Sequence, residues 1–228
     1  MVFRTLRLGF PSATVCVYLN GWHNVHEDVL NQAKQVGAIL VPAKRTTHDA
    51  WVKERLLTEK DGNHVICDTD MVFFRSIENW EFDHPFAGDL EPTHRNPVTA
   101  ARHWERLHTS LLFFRPSDLR KWILLWKAKR PNVNCPQDPD LVSQQWLPSP
   151  EGLQFADTAC LLYQAISGEE FTTEQREAYT HLHCGTWSDI VEDDIPGLQE
   201  SHAKAVADPQ SARGLWRQYD RWYQEHAD

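Results

Sequence analysis

Three short apolar runs alternate with segments of helical character along the first part of this chain, which restricts it to an α/β fold. The first run is Thr14-Val15-Cys16-Val17-Tyr18-Leu19, ended by Asn20-Gly21. The second, Ala38-Ile39-Leu40-Val41, follows Gly37 and is stopped by Pro42. The third, His64-Val65-Ile66-Cys67, follows the turn Asp61-Gly62-Asn63. Between them, Glu27 to Gln35 and Asp49 to Glu59 read as helices, the latter with Trp51, Val52, Arg55 and Leu56 at helical spacing. A helical piece from Val2 to Leu8, stopped by Gly9 and Pro11, precedes the first run. Strands that are apolar throughout, rather than alternating, are buried on both faces. The expectation is a single domain with a mostly parallel central sheet flanked by helices.

The second half is less regular. Leu111-Leu112-Phe113-Phe114 reads as a strand stopped by Arg115-Pro116, with Ser117 capping a helix to about Lys129. Arg130 to Pro150, rich in Pro, Asn and Asp, reads as one long loop. Asp157 to Ile166 is a further helix, Tyr179 to His183 a strand, and the tail from Ile195 is helical. In that tail Leu215, Trp216, Tyr219, Trp222 and Tyr223 form a helical stripe suited to docking on the core. Arg213, Arg217 and Arg221 line another face, open to an anionic acceptor or a membrane surface. Residues 1–190 are thus expected to form the main domain, and 191–228 a helical extension packed on it.

Composition excludes several classes. Hydrophobic residues make up 41% and charged residues 24%, so the chain is neither disordered nor fibrous. No apolar run approaches the ~18 residues of a membrane helix, and the start lacks a signal-peptide core. The 23 Lys and Arg against 32 Asp and Glu give a net charge of −9, which argues against nonspecific nucleic-acid binding. The five cysteines, Cys16, Cys67, Cys135, Cys160 and Cys184, are odd in number and lack CxxC spacing. A disulfide framework is therefore not expected, and a reducing cytoplasm is.

The segment that carries chemistry runs from His64 to Phe74. Asp68 and Asp70, two residues apart, sit where a buried strand emerges at its carboxyl end, the edge at which open α/β sheets bind ligands. Carboxylates there suit Mg²⁺ or Mn²⁺ with positions left open for phosphate oxygens. Capping of a turn amide by either side chain is the alternative. Later, His181 and His183 alternate along a strand, so both point to one face beside Gly185. They read as metal or phosphate ligands, or as structural hydrogen-bonding groups.

The Asp68-Thr69-Asp70 triplet, with apolar residues on both sides, resembles the metal motif of GT-A glycosyltransferases. Three other segments resemble that superfamily in order. Thr5-Leu6-Arg7-Leu8-Gly9-Phe10-Pro11 is similar to its first helix leading into its second strand. His108-Thr109-Ser110-Leu111-Leu112-Phe113-Phe114-Arg115-Pro116-Ser117 is similar to the segment lining the donor and acceptor site, with His108 and Ser110 where Asn and Gly are commoner. Tyr179-Thr180-His181-Leu182-His183-Cys184-Gly185-Thr186-Trp187 is similar to the late segment that supplies the third metal ligand.

The resemblance implies a GT-A-like fold and a metal-dependent transfer from a nucleotide-diphosphate sugar, a UDP-sugar first, to a glycan, small molecule, protein or modified DNA. It also implies that the strand seating the nucleotide base is missing or shortened ahead of the first helix. Metal ligands would be Asp68, Asp70 and His181 or His183. Asp157 would serve as base or sugar-binding carboxylate, or else cap a helix. Asp89 would meet sugar hydroxyls, His108 would line the donor site, and Lys44 with Arg45 would reach the diphosphate or remain a solvated pair. A nucleotidyltransferase, or a binding protein of the same fold without turnover, are the competing functions; the former usually carries a glycine-rich phosphate loop, which this sequence lacks.

Overall fold

The structure is a computed structural model that describes residues 2–20, 25–44, 46–95, 101–129, 140–149, 152–182, 200, 203–204 and 207–225. The expected strand Tyr179 to His183 therefore falls outside the description at His183, as do Arg45, Cys135 and Cys184. The described elements run α1 (Val2–Gly9), β1 (Cys16–Asn20), α2 (Glu27–Gln35), β2 (Ile39–Ala43), α3 (His48–Thr58), β3 (His64–Cys67), β4 (Met71–Phe73), β5 (Phe86–Glu91), β6 (His94–Arg95) and β7 (Arg102–His103). They continue through β8 (Arg106–Phe114), α4 (Pro116–Ala128), β9 (Gln145–Ser149), β10 (Gly152–Ala156), α5 (Cys160–Ile166), β11 (Glu169–Glu170), α6 (Thr173–Arg176), β12 (Tyr179–His181) and α7 (Trp216–Glu225). No described helix is long and apolar enough to cross a membrane.

The protein is a mixed α/β chain that divides into two compact units. One comprises Met1–Thr47, Thr69–Trp80 and Thr173–Trp216; the other comprises His48–Asp68, Glu81–Thr172 and Arg217–Asp228. In the first, β1 and β2 pair in parallel from Cys16↔Ile39 to Asn20↔Ala43, joined through α2 and a turn in which Gly37 takes φ 67°. The Asn20 side chain donates to Thr46 O and accepts from Thr46 N–H, both at 2.9 Å, which pins the loop carrying Lys44 to the end of β1. Helix α1 packs on β4: Phe10 meets Phe73 edge to face at 5.3 Å, and the Phe73 N–H donates to Thr5 Oγ1.

Gly9 ends α1 for a packing reason. A Cβ there would lie 2.6 Å from the Phe73 ring, and Phe73 is fully buried with no room to retreat. Gly9→Ala should therefore lower stability by about 1–3 kcal/mol through overpacking. Chemical unfolding checks this, and an unchanged midpoint would mean that the ring can shift.

The second unit is built on a sheet of order β11-β5-β8-β3. Its central strand β8 is buried along nearly its whole length, with Phe113 opposite both Val65 and Ala87. Val52 and Leu56 from α3, Leu119 from α4 and Leu162 from α5 close over Phe86 and Leu112. Burial of these side chains, at roughly 1.5–3 kcal/mol each, supplies much of the drive for folding. A second sheet has the order β6-β7-β10-β9.

The expected mostly parallel central sheet is corrected: it is mixed. β3 and β5 both run antiparallel to β8, and only β11 lies parallel to β5. Parallel pairing holds for β1 with β2 and for β7 with β10, while β4 and β12 are antiparallel. A continuous apolar run reports burial on both faces, and direction does not follow from it. Local readings change as well. Pro42 lies within β2 opposite Leu19, in a two-stranded sheet where its missing N–H need not serve a further strand. Arg115, not Ser117, is the N-cap of α4, with Pro116 in the first turn. Part of the expected Arg130–Pro150 loop is strand β9, paired with β10. Helix α5 starts at Cys160 because Ala159 takes a left-handed φ of 61°.

Candidate metal centre

Strand β3 ends with Cys67 opposite Leu111, and pairing continues one step further as the Asp68 N–H donates to Ser110 O at 2.8 Å. The chain then turns through Thr69 and Asp70 into β4. Met71 lies opposite His181 on β12, and the Leu182 N–H donates to Asp70 O at 3.1 Å. These backbone bonds set the His181 ring beside the Asp70 carboxylate, Nε2 to Oδ1 at 3.0 Å, with side chains only 14% and 18% exposed. Asp68 follows from connectivity, two residues back on the same turn. One ligand atom from each of Asp68, Asp70 and His181 lies within 4.8 Å of the others, the spread expected of groups that can share one ion.

Two carboxylates and one imidazole fit Mn²⁺ in donor type, and Mg²⁺ through the carboxylates. Three protein ligands leave an octahedral cation positions for phosphate oxygens or water. Among the described residues no other group of three or more His, Cys, Asp or Glu side chains has this convergence. His48, at the start of α3, places Nε2 4.0 Å from Asp68 Oδ1. His183, the other histidine expected as a ligand, lies outside the described residues.

His108 is tied to Asp68 through Ser110. Its Nδ1 accepts the Ser110 N–H at 3.1 Å and lies 2.8 Å from the Ser110 hydroxyl, while Ser110 O receives the Asp68 N–H. A donor aimed at Nδ1 selects the tautomer with its proton on Nε2. Lys44 is exposed one residue beyond β2. Asp89 is half-buried on β5, where the pairing register with β8 shifts between Gly88 and Leu90.

Asp157 belongs to a buried charge network in the second unit. Arg106 Nη2 lies 2.7 Å from Glu91 and 2.9 Å from Asp157, with Arg106 and Glu91 7% and 4% exposed. The Thr158 N–H and the Gln144 amide donate to Asp157 Oδ1. Burial alone would push the Asp157 carboxyl up, but the Arg106 guanidinium and these donors outweigh it and hold it below its ordinary value. A carboxylate so held is a weak proton acceptor. Next to it His94 and His103, opposite one another on β6 and β7, lie with ring centroids 4.8 Å apart and planes tilted by 31°. Burial, and then the His94 neighbour, pull the His103 pKa down. The Cys160 thiol is pushed up to about 12 by burial, so it stays protonated and is no nucleophile.

Arg106, Glu91, His94 and His103 are absent from the sequence-level candidates. The one available signal was a cation opening an apolar strand, and its partner is visible only once Glu91↔Arg106 register is known. Comparison with protein-family models finds none that matches this chain, and comparison with curated proteins finds no match.

Proposed function

We propose that this chain is a metal-dependent glycosyltransferase using a nucleotide-diphosphate sugar, with UDP-sugars the first donors to test. The observation that carries the reading is the convergence of Asp68, Asp70 and His181 at a strand end. The order of the GT-A-like segments in the sequence adds to it. The three side chains would hold Mn²⁺ or Mg²⁺, which when bound supplies Lewis-acid neutralisation of the departing diphosphate. Asp68 and Asp70 present carboxylates from a turn fixed at both ends by backbone bonds, to Ser110 O and from Leu182 N–H. That fixation keeps the ligands oriented before donor arrives, so less ordering entropy is lost on binding. His181 is held against Asp70 by the β4–β12 pairing.

A screen of nucleotide-sugars with Mn²⁺, read as released nucleoside diphosphate, tests the activity. At least one donor should be hydrolysed in a metal-dependent way. His181→Ala should raise the Mn²⁺ concentration for half-maximal rate by about 10-fold or more, with the melting temperature nearly unchanged. Absence of hydrolysis with every donor, or the same Mn²⁺ dependence in the variant, would count against the proposal.

A further inference from the structure

Four rings form a row across the sheet β6-β7-β10-β9. His94, His103, Phe155 and Trp146 stand opposite one another in the pairing of its strands. Successive ring centroids lie 4.8, 5.2 and 4.8 Å apart. The row starts in the core and ends at the surface: His94 is 1% exposed, His103 and Phe155 are half-buried, and Trp146 is 55% exposed. Contact with Phe155 limits the rotamers open to the indole, so little ordering is lost when a ligand covers it.

A polar pair lies beside this row. The β9–β10 register, carried one step past Gln145↔Ala156, sets Gln144 opposite Asp157, and the Gln144 amide donates to Asp157 Oδ1 at 2.6 Å. Each stands two residues from Trp146 or Phe155, on the same face and about 7 Å along the strand. Asp157 Oδ1 also takes the Thr158 N–H, while Oδ2 faces Arg106 at 2.9 Å. The carboxylate charge is thus met from within the protein. What the pair retains for a ligand is hydrogen bonding: the second N–H and the carbonyl oxygen of the exposed Gln144, and an acceptor site on Oδ2.

We infer that this face binds a neutral carbohydrate, one sugar ring lying on Trp146 and its hydroxyls bonding to Gln144 and Asp157. A sugar ring has an apolar C–H face for the indole and hydroxyls that both donate and accept, the two kinds of surface set side by side here. Because Arg106 already answers Asp157, the pair calls for no cation. A phosphate-bearing ligand would instead bring its negative charge to Asp157, in a chain of net charge −9. This binding needs neither metal nor donor, so it stands apart from the transfer reaction proposed above.

Isothermal titration of the full chain, free of metal and nucleotide, with cellotetraose, maltotetraose, mannotetraose and N-acetylchitotetraose tests this. At least one should bind. Trp146→Ala should weaken that binding about 10-fold or more, Trp146→Tyr should keep most of it, and Gln144→Ala should weaken it about 3-fold. Trp146 and Gln144 are both exposed, so the melting temperature should hold, and Gln144→Ala with Trp146→Tyr carries the test if Trp146→Ala unfolds. Failure of all four sugars to bind, or equal affinity in the wild type and the variants, would overturn the proposal. So would finding, in place of sugar binding, an oligothymidylate complex or a dimer in sedimentation velocity that Trp146→Ala dissolves.

Discussion

Asp70→Asn should abolish Mn²⁺-dependent donor binding and lower turnover by about three orders of magnitude. Asn keeps the shape of Asp and an oxygen able to face His181 Nε2, now 3.0 Å from Asp70 Oδ1. The backbone bond from the Leu182 N–H to residue 70 is untouched by the substitution. What disappears is one negative charge in a largely buried position. Metal stabilisation of a leaving diphosphate amounts to several kcal/mol, and about 4 kcal/mol corresponds to the stated rate loss. Asp68→Asn should have the weaker effect, because the Asp68 side chain is 34% exposed and better screened. Calorimetric titration with Mn²⁺ and UDP, beside a melting curve, separates metal loss from unfolding. Normal nucleotide binding by the Asp70 variant would remove the carboxylate from the proposed site.

The parts of this structure that the sequence made legible are those set by local chemistry. Glu27–Gln35 and His64–Cys67 fall where pattern and breakers place them, because a helix cap or a turn residue acts over a few positions. The Asp68/Asp70/His181 grouping was legible for a related reason. Paired carboxylates at a strand end call for a further metal ligand, and the late segment with alternating histidines resembles the one that supplies it in GT-A glycosyltransferases. Strand direction was not legible, since β3, β5 and β8 are each apolar whichever way their neighbours run. Nor was the start of α5, where the left-handed Ala159 overrides the capping chemistry of Asp157. The network around Arg106 depends on register between strands separated by a long connection. Glu91 followed by a proline, and Arg106 ahead of a leucine, carry no sign of one another.

Replacing Arg106 by Met should be the most damaging single change to the second unit, costing about 3–5 kcal/mol. The guanidinium lies between Glu91 and Asp157, at 2.7 and 2.9 Å, so its removal leaves two carboxylates facing each other without a cation. Burial makes that worse than the loss of a surface pair, because water does not reach Glu91 to replace it. Adding Glu91→Leu should recover a large part of the loss, since a well-packed apolar pair substitutes for a buried ion pair at little net change. The pH dependence supplies an independent check. The Asp157 pKa is depressed in the folded state, so its contribution is full above the unfolded value near 3.8 and is lost as pH falls through the folded value. His103 is also depressed, and being neutral when folded it begins to oppose folding once pH drops below its unfolded value near 6.5. Urea midpoints of the wild type should therefore fall first below about pH 6.5 and again below about pH 4. In Arg106→Met the cation that lowers Asp157 is gone, so the second fall should become shallower, while Asp140, whose carboxyl burial would raise but Lys53 and Ser143 hold well below its ordinary value, keeps the rest of it. A variant with wild-type midpoints across that range would show that Arg106 is not what holds the two carboxylates in place.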